Sequence, residues 1–81
     1  MQTKIINELY QVIMDENTTD SIIQNVGKVE VQLYITTGTA PTIKMQGIIL
    51  NPGIAINRNE IPESGSVYAK AKGQSSVLIT E

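Results

Sequence analysis

Few residues in this chain are able to do chemistry, and none stands where a reaction would need it. Its 81 residues include neither His nor Cys. The commonest general base, the thiol nucleophile and the usual nitrogen and sulfur metal ligands are therefore missing. Ser64, Ser66, Ser75 and Ser76 have no base close by in sequence and read as turn and strand residues. Glu60 and Glu63, on either side of Pro62, form in principle a glycosidase-like carboxyl pair. A domain this small has little concavity to hold a sugar between them, so solvated loop carboxylates are the simpler reading. The glycines at 38, 47, 53, 65 and 73 do not follow a phosphate-binding spacing, and no strand–loop–helix unit surrounds them. No spaced Asp/Asn cluster resembles a calcium loop. Asn17-Thr18-Thr19 matches the glycosylation sequon, but no secretory signal supports its use. The expectation is a protein that is not an enzyme, with no catalytic residue, no metal and no cofactor.

Binding chemistry is better represented. Tyr34 and Tyr68 fall on the polar sides of two alternating segments, so each is expected to show an aromatic ring to solvent. Exposed tyrosine is favoured at protein interfaces and on sugar-binding surfaces; the competing reading has the rings covering the edge of a thin core. Tyr10 is expected to be buried. Together with Ile5, Ile6 and Leu9 near the N-terminus, Tyr34 and Tyr68 are the candidate protein-interface residues.

Composition narrows the partners. A formal net charge of −2 argues against nucleic acid, whose binders concentrate Lys and Arg. Residues 1–30 carry Glu8, Asp15, Glu16, Asp20 and Glu30 against Lys4 and Lys28. The remainder carries Lys44, Arg58, Lys70 and Lys72 against Glu60, Glu63 and Glu81. An acidic front and a mildly basic back would suit contacts between copies, although an ordinary solvated surface shows the same pattern. No apolar run reaches membrane-spanning length and no signal peptide is evident, so the chain reads as soluble and unprocessed. Phe and Trp are absent, leaving Ile, Val, Leu, Met and Ala to build the core. Burying each such side chain contributes about 1.5–3 kcal/mol, a narrow margin over chain entropy in so short a domain. With disulfides and metals removed, association between copies is the stabiliser left open.

The elements that must position these residues are strands. Residues 4–14 fit both helical spacing, through Ile6, Leu9, Tyr10, Ile13 and Met14, and alternation, through Ile6, Tyr10, Val12 and Met14. Their β-branched content favours a strand. The polar run at 15–20 is a turn or loop. Ser21-Ile22-Ile23-Gln24-Asn25-Val26 reads as a short strand. Val29, Val31, Leu33 and Ile35 then alternate with Glu30, Gln32, Tyr34 and Thr36, giving one buried and one wet face. Ile43 and Met45, then Ile48, Ile49 and Leu50, form the next strand region, with Gly47 marking a bulge or a close approach. Asn51-Pro52-Gly53 and Pro62-Glu63-Ser64-Gly65 are turns, with Ile54, Ala55 and Ile56 a short strand between them. A closing hairpin is expected around Gly73-Gln74. Val67, Ala69 and Ala71 face inward on its first strand and Tyr68, Lys70 and Lys72 outward, with Val77 and Ile79 inward on its second. The prediction is an all-β domain, a small antiparallel β-sandwich or barrel of about six to seven short strands. Residues 21–81 make the sandwich, and residues 1–20 a first strand or an arm.

Residues 21–81 resemble small virion proteins of tailed bacteriophages, of the capsid decoration or head-fibre-base type. The resemblance rests on Ile22-Ile23-Gln24-Asn25-Val26-Gly27, Ala40-Pro41, Leu50-Asn51-Pro52-Gly53, residues 65–73 (Gly-Ser-Val-Tyr-Ala-Lys-Ala-Lys-Gly) and Val77-Leu78-Ile79-Thr80-Glu81. It implies a structural protein of the virion, a capsid decoration (cement) protein or the shell-anchored base of a head fibre. Such a protein is assembled in the host cytoplasm and binds the major capsid protein or another virion protein as a homo-oligomer, expected as a trimer. It carries no catalytic residues across. Two alternatives stay open: a tail, baseplate or fibre-tip module whose exposed tyrosines engage a host-surface glycan, and a component joining virion parts.

Overall fold

A computed structural model describes residues 2–15, 21–38, 41, 47–61 and 64–80 of the chain. Among the described residues eight strands run in sequence: β1 (Gln2–Ile6), β2 (Gln11–Met14), β3 (Ile22–Asn25), β4 (Val31–Thr36), β5 (Ile48–Leu50), β6 (Ala55–Asn57), β7 (Ser66–Ala71) and β8 (Ser75–Thr80). A 3₁₀ turn, Arg58–Glu60, follows β6, with the Asn57 side chain accepting from the Asn59 N–H. The strands form two four-stranded antiparallel sheets, β1-β8-β3-β6 and β2-β7-β4-β5. The protein is all-β, a small sandwich.

The pairings β1 with β8, β2 with β7, β3 with β6 and β4 with β5 are those of one long antiparallel ribbon bent back on itself between β4 and β5. Rolling that ribbon up adds the contacts β3 with β8 and β4 with β7, which is the strand order of a jelly roll. Successive strands alternate between the two sheets at every step except β4 to β5. The closing hairpin is thus corrected: β7 and β8 do not pair with each other. They lie in different sheets, and Gly73-Gln74 is a corner between the layers. Pattern fixes which side of a strand is buried but not its neighbour, and the two places beside β8 are taken by β1 and β3.

Residues 4–14 are likewise two strands, one in each sheet. Asn7 ends β1: its Oδ1 accepts from the Leu9 N–H at 3.1 Å, an Asx-type turn, while its carbonyl accepts from the Ala71 N–H at 2.7 Å. A register shift between Val12 and Met14 then turns Ile13 and Met14 both inward and leaves Val12 51% exposed. A bulge of this kind re-aims side chains and blunts an edge strand.

The core between the sheets is aliphatic, with Ile6, Ile23, Val31, Leu33, Val67 and Val77 wholly buried. In β4 and β7 the predicted alternation holds, Val31, Leu33, Val67, Ala69 and Ala71 being inward. Asn51-Pro52-Gly53 is a type II turn, with Gly53 at φ 85° and the Ile54 N–H donating to the Asn51 carbonyl at 3.0 Å. Gly47 marks a close approach, since a Cβ there would meet the Leu33 carbonyl. Ile43, Met45, Pro62 and Glu63 lie outside the described residues.

Among the described residues Ser21, Asn25, Arg58 and Ser75 are buried polar residues. Asn25 is wholly buried, and Arg58 is 6% exposed. Arg58 donates from Nη1 to the Ile61 carbonyl at 3.2 Å and from Nη2 to the Gly65 carbonyl at 3.3 Å, stapling the approach to β7.

Candidate tyrosine-bearing interface

Alternation in β4 turns Gln32, Tyr34 and Thr36 to the outside of the β2-β7-β4-β5 sheet, and in β7 it turns Ser66, Tyr68 and Lys70 the same way. Register then decides what meets. Tyr34 stands directly opposite Tyr68, with Gln32 opposite Lys70 and Thr36 opposite Ser66. Opposed side chains on one face approach to about 4.5–5.5 Å between Cβ atoms, close enough for aromatic rings to pack.

Tyr10 joins them from outside the strands. The β1–β2 connection is held by Asn7 at both its side chain and its carbonyl, and by the Gln11 amide donating to the Ile5 carbonyl at 3.1 Å. That connection delivers the Tyr10 ring to 6.0 Å from the Tyr34 ring at an interplanar angle of 63°. This is the edge-on geometry aromatic quadrupoles prefer. Lys70 Nζ sits 5.0 Å from the centre of the Tyr10 ring, within cation–π range. All three tyrosines of the chain thus gather on one outer face, each half-buried. Val12, opposite Tyr68, and Ile49, opposite Gln32 and 55% exposed, extend the patch with aliphatic surface.

A cleft of about 200 Å³ beside the rings is lined by Glu8, Gln32, Lys70, Ala71 and Lys72. The Gln32 Oε1 is buried and accepts no hydrogen bond among the described residues. At its rim Lys72 Nζ and Glu30 lie 3.6 Å apart, with Lys72 79% exposed. A pair so open to water contributes little stability.

Tyr34 and Tyr68 are therefore adjacent, and Tyr10 belongs with them rather than in the core. Alternation announced the outward direction of the first two, but Tyr10 sits in a connection, where alternation carries no directional information. The other three candidate residues do not join this face. Ile5 is 62% exposed on the outside of the opposite sheet. Leu9, 64% exposed, lies on the connection that carries Tyr10. Ile6 is wholly buried and is corrected from a contact residue to a core residue: it points inward at the end of β1, where Ile5 takes the outward position.

The residues weighed for chemistry have structural places. Ser75 is buried, its hydroxyl donating to Asn25 Oδ1 at 2.9 Å. Ser64 and Glu60 are exposed and Ser66 and Ser76 half-buried on outer sheet faces. Among the described residues no three His, Cys, Asp or Glu side chains cluster. The sequon at 17–19 lies outside the described residues.

The Tyr10 phenol is held above its ordinary value of 10.0, first by burial and second by Coulombic repulsion from Tyr34. A phenol whose folded pKa exceeds its unfolded one keeps its full stabilising contribution below the unfolded value and loses it as pH rises through the folded one. Stability is expected to decline as pH passes above about 10, and Tyr10→Phe to lessen that decline. Urea unfolding of both proteins at pH values either side of 10 checks this; parallel curves at every pH would exclude a role for Tyr10.

The arrangement offers stacking surface, phenolic hydroxyls and the Lys70 cation, which is equipment for holding another molecule. Compared with protein-family models, with curated proteins and with solved structures, the chain matches none of them.

Proposed function

We propose that this protein is a structural component of a tailed-phage virion that binds the outer surface of the capsid through its tyrosine-bearing sheet, as a decoration protein or as the shell-anchored base of a head fibre. The observation that carries the reading is the gathering of Tyr10, Tyr34 and Tyr68 on one outer face, flanked by exposed Val12 and Ile49. A protein whose interior contains no aromatic ring has spent all of its aromatic surface where it meets solvent. Tyrosine there is the residue type that dominates binding energy at interfaces. The sequence resemblance supplies the capsid as the partner. The jelly-roll order is found in viral capsid domains and in lectins alike, so it agrees with this reading without deciding it. A lattice of sites also stabilises a small domain by mass action.

The test is binding of the purified protein to undecorated capsids. Binding at saturating stoichiometry, with raised resistance of the shell to heat, is expected. Tyr34→Ser combined with Tyr68→Ser is expected to weaken binding by roughly 30-fold or more, the range of interface hot spots, while the domain stays folded. No binding to any shell or tail assembly would reject the reading. The cleft beside the rings, with Glu8, Gln32 and Lys70, favours a second reading: a fibre-tip or baseplate module that stacks a host glycan on the tyrosines. Retention on a glycan array by the wild-type protein, lost in the double variant, would select it.

A further inference from the structure

The β1-β8-β3-β6 sheet has an outer face of a different kind. Lys4 is the one charged residue in these four strands, and it has the inward parity of Ile6, lining the groove where β1 and β2 part. No outward position on the sheet is charged. Aliphatic side chains take the charges' place: Ile5 is 62%, Val26 48% and Ile22 43% exposed, around half-buried Leu78. Register sets their arrangement. Ile5 and Asn25's successor Val26 flank Ser76, which pairs with Ile5 and accepts the Val26 N–H at 2.9 Å. Two residues along β8, Leu78 stands between Thr3 and Gln24. The central strand thus turns the small Ser76, the larger aliphatic Leu78 and Thr80 outward, each half-buried.

We propose that this face binds a second copy of the same chain about a two-fold axis, with Leu78 of each copy seated over Ser76 of the other. Three features choose a copy as the occupant. A two-fold contact sets each residue near its own counterpart, so any charge close to the axis meets its like; this face has none, whereas the tyrosine face would oppose Lys70 to Lys70. The larger Leu78 and the smaller Ser76 lie two residues apart on one strand, about 6.6–6.8 Å, and a two-fold axis midway between them exchanges the two positions. The molecule measures 28 × 27 × 17 Å, so its broad face is close to the roughly 800 Å² per partner of a standard interface. A neutral face has no charge pattern to orient a head-to-tail ring, which sets this pair apart from the trimer implied by the resemblance. The proposal does not rest on the capsid reading: the tyrosine face stays free on both outer sides of the pair.

Native mass spectrometry and light scattering of the isolated protein from about 1 μM to 1 mM provide the test. The expected species at the upper end has twice the 8.8 kDa mass of one chain. Ser76→Glu and Ser76→Lys, each folded by circular dichroism, are expected to be monomeric alone and to recover the dimer when mixed. Should either variant not fold, backbone NMR shifts of the wild-type protein on dilution supply the answer: changes at Ile5, Val26, Ser76 and Leu78 support the pair. A monomer at 1 mM, a trimer, a dimer indifferent to both charges, or dilution shifts confined to the tyrosine face would each overturn it.

Discussion

Asn25→Ala is expected to remove a large fraction of the domain's stability, the largest single effect anticipated for any side chain here. The Asn25 amide uses its full hydrogen-bonding capacity. Its Nδ2 donates to the Val29 carbonyl and to the Leu50 carbonyl, both at 2.8 Å. Its Oδ1 accepts from the Gly27 N–H at 3.0 Å and from the Ser75 hydroxyl at 2.9 Å. Those partners belong to the β3–β4 connection, to the end of β5 and to the start of β8, so one side chain ties both sheets together at one end of the sandwich. Alanine removes the partner of these groups in a buried or part-buried site, at about 1–3 kcal/mol for each left unsatisfied. A loss of roughly 3–5 kcal/mol is expected against a total of roughly 4–12 kcal/mol for a domain of this length, which corresponds to a melting temperature lower by about 15 °C or more. Asn25→Asp separates hydrogen bonding from size. It keeps both acceptor contacts but turns an oxygen toward two carbonyls and buries a charge. Its folded pKa is expected above the unfolded one, so the Asp variant should gain stability as pH falls, the reverse of ordinary acid denaturation. An Asn25→Ala protein within 1 kcal/mol of the parent in urea unfolding would show that the network is not what closes that end of the sandwich.

Much of the fold was legible in the residues because β4 and β7 each alternate over six positions and because Asn51-Pro52-Gly53 permits few backbone paths. The strand neighbours were not legible. Residues 72–74 join two half-buried strands over a gap as short as a hairpin turn, and nothing local distinguishes a hairpin from a corner. The outcome depends on β1 and β3 flanking β8, partners distant in sequence. In residues 4–14 the alternation runs through Tyr10 as though unbroken, while the Asn7 turn and the bulge before Met14 break it. Asn25 has the same inward parity as Ile23, a polar residue in a core position, and that mismatch was the available signal for the network. Direction was readable for Tyr34 and Tyr68; their contact needed the β4–β7 register, and the arrival of Tyr10 needed the β1–β2 connection.

That register is also the most fragile part of the candidate interface, and Gly65 guards it. Gly65 is buried with φ 130°, a conformation that an L side chain rarely adopts. A Cβ added there would collide with the carbonyl of Thr36, backbone that cannot swing aside without moving the end of β4. Ser66 opposite Thr36 begins the ladder that two residues later sets Tyr68 opposite Tyr34, and the Gly65 carbonyl also receives Arg58. Gly65→Ala is therefore expected to cost about 3 kcal/mol or more, strain at the backbone adding to the collision, and to disturb the tyrosine patch together with stability. Gly53→Ala is the control. Its φ of 85° is also unfavourable for alanine, but nothing lies within 4 Å of the added carbon, so a loss of about 1 kcal/mol is expected. Urea unfolding compares the two losses, and near-ultraviolet circular dichroism follows the tyrosines, which should change in Gly65→Ala and not in Gly53→Ala. Equal losses in the two variants would mean that β7 does not approach β4 as closely as the collision requires. The Tyr34–Tyr68 contact would then need another origin than the strand start at Gly65.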